Sequence, residues 1–100
     1  MHEQIKDILL KHIGHKNPIK SKAISEKMGF PLEDTQSVSR KAIWETAEKF
    51  GLPLVSSSKG YYIAETDEEV EKYRDNIKQR IQGMESTLKM VIKNYKEQKK

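Results

Sequence analysis

From Thr66 to about Glu97 the chain runs without a proline while its apolar residues return every seven positions. Val70, Ile77, Met84 and Val91 form one row. Ile81, Leu88 and Tyr95 form a second, offset by four, and Arg74 stands in that row too. Two such rows are the d and a positions of a heptad helix, whose apolar seam is stable only when another helix covers it. Thirty helical residues extend roughly 45 Å, too long for one small domain to cover. The seam of Val70, Ile77, Ile81, Met84, Leu88, Val91 and Tyr95 therefore predicts self-association, with a homodimer through this C-terminal helix as the simplest outcome. Arg74 in the seam, Gly83 within the helix and the soft Met84 and Tyr95 depart from an ideal two-stranded coil. They leave an antiparallel pair or a four-helix arrangement open. The alternative is that the first turns pack back on the preceding domain and the rest is marginally ordered. Thr66 is suited to cap this helix, and Asp67, Glu68 and Glu69 place carboxylates at its positive end. Lys89, Lys93, Lys96, Lys99 and Lys100 make the other end basic. That complements the helix dipole, a phosphate contact being the sharper alternative.

The segment before it, Ser21 to Ala64, has a different order. Ser21 is a suitable N-cap for a short helix over Lys22 to Met28, and Gly29 suits a left-handed stop. Phe30-Pro31-Leu32 cannot continue that helix. Glu33, Asp34 and Thr35 have the acidic and hydroxyl character of a second helix start. Val38, Ala42, Ile43, Ala47 and Phe50 follow at the spacing of one buried face. Gly51 and Pro53 end the helix. Leu54-Val55-Ser56 and Tyr61-Tyr62-Ile63 then flank a polar tip, Ser57-Ser58-Lys59-Gly60, as two strands flank a hairpin turn. An earlier helix is expected over Met1 to Ile13. Ile5, Ile8, Leu9 and His12 or Ile13 lie on its inner side, and Gly14 ends it.

Helix, turn, helix and hairpin is the order of a winged helix-turn-helix. The phrase Gly51-Leu52-Pro53-Leu54-Val55-Ser56-Ser57-Ser58-Lys59-Gly60-Tyr61-Tyr62 is similar to the wing of small winged-helix proteins of bacteriophages of Gram-positive hosts. More broadly it resembles the winged domain of biotin-repressor type, over roughly Met1 to Ala64. The resemblance implies a mostly α fold with a small β-hairpin. Residues 1–65 would form the winged domain and residues 66–100 the self-associating helix. It also implies a short strand near Ile19 that pairs with the wing.

With 100 residues, 35% hydrophobic and 34% charged, the chain can bury only a small core. Cysteine is absent, which excludes disulfides and thiol chemistry and is compatible with the cytosol. No apolar run has the length of a membrane span and Met1-His2-Glu3-Gln4 does not open a signal peptide. No membrane partner and a cytoplasmic location, in a bacterial host cell, are the expectations. The formal charge of +4 is divided evenly, with ten basic and eight acidic residues through Thr66 and nine and seven thereafter. This permits nucleic-acid binding without demanding it.

A recognition helix reads base edges near its N-terminal end. Thr35, Gln36, Ser37, Ser39, Arg40 and Lys41 are accordingly the candidate contacts to double-stranded DNA on the central helix. Gln36, Arg40 and Lys41 lead, because Gln and Arg can form two-pronged hydrogen bonds to bases. At the tip Ser57, Ser58 and Lys59 are suited to phosphates or the minor groove; the same residues also serve any exposed turn. Glu45 and Glu48 occupy the later part of the helix. Trp44 is either a core plug against the C-terminal helix or an exposed anchor for a protein partner. Of Tyr61, Tyr62 and Ile63, alternate residues should face the core. His2, His12 and His15 lack a completing ligand set, so no metal is expected, and no cofactor or catalytic constellation is found. The expected function is a dimeric DNA-binding regulator of transcription or replication. The competing expectation is a non-enzymatic protein-interaction module, such as a phage-encoded inhibitor of a host replication factor like the helicase loader.

Overall fold

The computed structural model describes residues 1–31 and 37–99. Its elements are α1 (His2–Leu9), α2 (Ser21–Met28), α3 (Ser37–Phe50), β1 (Leu54–Ser57), β2 (Gly60–Ile63) and α4 (Asp67–Gln98). The fold is mostly α with one small antiparallel hairpin and a long C-terminal helix, as expected. Two compact units are present, Met1–Val70 and Glu71–Lys100. No helix among the described residues is long and apolar enough to cross a membrane.

The first unit is built on the inner sides of three short helices. Ile5 and Leu9 of α1, Ile24 of α2 and Ile43 of α3 are all fully buried. Ala42 and Ala47 let α3 approach closely, and Leu54, Tyr61 and Ile63 close the cluster from the hairpin. Burying an aliphatic side chain of this size contributes about 1.5–3 kcal/mol, so these few residues supply most of the apolar stabilisation. Gly29 takes the left-handed conformation expected of it, with φ 71°, and its N–H bonds the Ser25 carbonyl. Lys20, rather than Ser21, occupies the N-cap position of α2.

Helix α1 is shorter than the predicted Met1 to Ile13. Its last helical residue is Leu9, because the chain from His12 to Gly14 is used by β2 instead. The Ile63 N–H bonds the His12 carbonyl at 2.9 Å and the Gly14 N–H bonds the Ile63 carbonyl at 2.9 Å. Gly14 adopts φ +89° to make that turn, and Ile13 is left 46% exposed instead of joining the core. Ile19 pairs with Tyr61 through two backbone hydrogen bonds of 2.7 and 2.8 Å, so the short pairing segment expected there exists.

The hairpin register sets Leu54 against Ile63, Val55 against Tyr62, Ser56 against Tyr61 and Ser57 against Gly60. Tyr61, Tyr62 and Ile63 were expected to alternate, yet all three are buried. β2 is paired along both edges, to β1 and to the Ile13 and Ile19 bridges. Val55 and Tyr62 are covered as well as the opposite face, which leaves no solvent side for alternation to mark.

In α3 the buried side is Ser39, Ala42, Ile43, Thr46 and Ala47. Val38, expected inside, is 42% exposed, and Phe50 is only half-buried. The inner face is rotated toward small hydroxyl residues whose polar atoms are satisfied locally. Ser39 Oγ donates to the Ser21 carbonyl at 3.1 Å, and Thr46 Oγ1 donates to the Ala42 carbonyl at 2.7 Å. The helix start predicted at Glu33, Asp34 and Thr35 lies outside the described residues.

Helix α4 begins where predicted. Thr66 Oγ1 accepts the Glu69 N–H at 3.2 Å, and Asp67, Glu68 and Glu69 occupy the first turn.

Candidate functional site

Helix α3 and the hairpin tip hold the residues singled out for contact. Thr35 and Gln36 lie outside the described residues. Ser37, Arg40 and Lys41 are exposed. Ser39 is not: at 1% exposure, with its hydroxyl committed to the Ser21 carbonyl, it fastens α3 to α2 and presents nothing outward. Expected as an outward contact, Ser39 is instead an interhelix tether.

Trp44 follows Arg40 by four residues and Lys41 by three, so it neighbours each of them on the outer surface of the helix. Trp44 is 41% exposed and therefore not a core plug. Its ring meets that of Tyr61 edge to face, with centroids 6.2 Å apart. This aromatic pair ties the exposed stripe of α3 to β2, the strand that leaves the hairpin tip. Glu45, one residue on, lies 3.4 Å from Nε2 of His2 on α1.

At the tip Ser57, Ser58 and Lys59 are exposed. Ser57 also closes the turn, since its Oγ donates to the Gly60 carbonyl at 2.9 Å and accepts the Lys59 N–H at 3.3 Å. That fixes the backbone of Lys59 beneath its flexible cation. Gly60 is required where it is. With φ +132°, a Cβ there would lie 2.5 Å from the Ile19 carbonyl oxygen.

Each of the three histidines has a different partner, His2 meeting Glu45. His12 Nδ1 donates to the Asn17 carbonyl at 3.0 Å and His15 Nδ1 donates to the Glu69 carboxylate at 2.7 Å. Among the described residues no group of three or more His, Cys, Asp or Glu side chains converges to hold a metal ion.

The His15–Glu69 contact is the polar junction that sequence reasoning missed. Glu69 was placed only as one carboxylate favourable to the start of α4. It is 7% exposed and takes hydrogen bonds from the Glu65 N–H (2.7 Å), the His15 N–H (2.9 Å) and the His15 imidazole. The Glu65 N–H, then the two His15 donors, hold the carboxyl at about 2, far below its ordinary value of 4.5. Burial, with the Glu69 charge added to it, raises the Tyr62 phenol above its usual value. The pair fastens the loop after α1 to the first turn of α4. A separation of 54 residues hides it from any local pattern.

On α4 the seam predicted for self-association is open among the described residues. Val70, Ile81, Met84, Leu88, Val91 and Tyr95 are all between 46% and 67% exposed, and Ile77 is partly covered. Met90 and Ile92 are exposed as well and widen the stripe beyond the two rows.

Comparison of the chain with family models, curated proteins and solved structures returns no match.

Proposed function

We propose that this chain is a non-enzymatic, self-associating DNA-binding protein of winged-helix type. The exposed side of α3 would enter the major groove and the hairpin tip would contact the flanking backbone. The observation that supports it is the exposed stripe of Arg40, Lys41 and Trp44, tied by the Trp44–Tyr61 pair to the hairpin that carries Lys59. Arg40 offers the fork that recognises guanine, and Lys41 and Lys59 offer point charges for phosphate. The open seam of α4 supports pairing of two such units. A twofold assembly would favour a palindromic site. The proposal includes the resemblance to phage regulators of transcription or replication, acting in the cytoplasm of a bacterial host.

The test is the affinity of the protein for duplex DNA compared with that of an Arg40→Ala/Lys59→Ala variant. A loss of at least about tenfold, or about 1.4 kcal/mol, is expected. Equal affinity across several salt concentrations would exclude groove contact by this face.

One observation favours a second function, a protein-interaction module directed at a host replication protein such as a helicase loader. Val38 and Trp44 are large apolar side chains exposed on α3, and Glu45 and Glu48 dilute its positive charge. A half-exposed tryptophan is a common centre of protein interfaces. Trp44→Ala would then abolish partner binding, with Arg40→Ala neutral.

A further inference from the structure

Along α4 the charge changes sign from one end to the other. Leaving aside the enclosed Glu69, Asp67, Glu68, Glu71 and Asp75 outnumber Lys72 and Arg74 in the first third, whereas Lys89, Lys93, Lys96 and Lys99 are accompanied only by Glu97 in the last. The apolar seam between these ends is exposed. We propose that the seam is covered by α4 of a second copy running antiparallel. Val70 then faces Tyr95 of that copy, Arg74 faces Val91, Ile77 faces Leu88 and Ile81 faces Met84. This specifies the partner of the self-association proposed above and rests on it.

Three features select that arrangement. The register engages all eight seam positions and lays Asp67–Gln98 upon the same span of the second copy, so no part of the seam is left over. It sets the acidic end of each helix against the basic end of the other. A parallel pair would set acidic end on acidic end and lysines on lysines. Third, a parallel pair would place Arg74 directly against Arg74 at an a position, where like charges oppose each other within the seam. Antiparallel pairing gives Arg74 an aliphatic neighbour. Its guanidinium can still reach solvent beside Asp75, whose carboxylate is 3.8 Å away. The flanking Glu85 does not discriminate, because it meets Lys78 in one arrangement and Arg80 in the other.

The surface at the middle of the helix suits the same partner. A shallow hollow is lined by Arg80, Gly83, Met84, Thr87, Leu88 and Val91. Gly83 has nothing within 4 Å of where its Cβ would stand, so this wall of the hollow is low. The proposed register brings Ile77 and Ile81 of the second copy over it, as knobs into a hole.

The chain has no cysteine, so single-thiol variants of the full protein can carry a spin label at one known position. Lys93→Cys and Ser86→Cys lie on the outer side of the helix, away from the seam. Mass is measured first, then the distance between labels in the dimer. Antiparallel pairing offsets the two Lys93 positions by roughly 32 Å along the axis, for a separation on the order of 40 Å. Parallel pairing leaves them side by side, on the order of 20 Å apart. The Ser86 labels are expected near 25 Å, roughly what side-by-side helices give, and confirm that the labels report the dimer. A dimer with the long Lys93 distance supports the proposal. A dimer with the short one overturns the antiparallel arrangement while leaving self-association standing. A monomer overturns both.

Discussion

Glu69 is the residue on which the most polar structure converges. Its carboxylate takes hydrogen bonds from Glu65 and His15 and is nearly enclosed. Since its folded-state pKa is depressed to about 2 from 4.5, the stabilisation it provides is complete above 4.5 and is lost as pH falls through about 2. Glu69→Gln keeps the shape but removes the charge from these bonds. It is expected to destabilise the protein at neutral pH by roughly 1–3 kcal/mol, measured by urea unfolding, with the difference from wild type shrinking in acid. Gly60 is constrained differently, by a carbonyl that a Cβ would strike and by a positive φ. Gly60→Ala is expected to cost about 2–3 kcal/mol and to weaken the Ile19–Tyr61 pairing, read as faster amide exchange there. At this scale the sequence was legible where a residue acts on its own neighbours. Gly29 and Thr66 behave as their types demand. Ser39 and Glu69 do not, because what decides them is a partner remote in the chain: the Ser21 carbonyl for one, the loop at His15 for the other.

Among the elements, periodicity located the body of α3 and α4, while cap and stop residues located α2 and a polar tip between β-prone runs located the hairpin. These local signals failed where tertiary pairing overrode local preference. The segment His12 to Gly14 has helical company but is taken as a partner by β2, which shortens α1. Pairing on both edges likewise erases the alternation expected of Tyr61 to Ile63. The exposed side of α3 was legible for Arg40 and Lys41, whereas Trp44 stood open between a core plug and an exposed anchor. That side was misjudged at Val38 and Ser39, since an apolar residue and a small hydroxyl exchange places when the inner face is packed by small residues. Trp44 is the only tryptophan and is half-exposed beside Tyr61, so its fluorescence reports this surface. If α3 enters DNA, duplex binding should change its emission, and Arg40→Ala should shift the titration to higher DNA concentration. A spectrum unchanged at saturating DNA would place the contact elsewhere.

For the molecule as a whole, the heptad rows were legible from Val70 to Tyr95, and Val70, Ile81, Met84, Leu88, Val91 and Tyr95 of those rows are exposed. Heptad rows do not encode direction; the end charges and Arg74 carry that information. Leu88→Asp puts a charge into the middle of the seam and is expected to dissociate the proposed dimer, while unfolding of the first unit, Met1–Val70, keeps its midpoint. Analytical ultracentrifugation with thermal unfolding checks both halves of that statement. DNA contact is tested by the salt dependence of binding to random-sequence duplex DNA, with mass determined alongside. Two phosphate-contacting cations per copy, Lys41 and Lys59, in a dimer predict a fall of log affinity with log salt of slope about −4. A dimer that fails to bind even at the lowest salt would contradict the DNA-binding account and leave the protein-interaction function in its place.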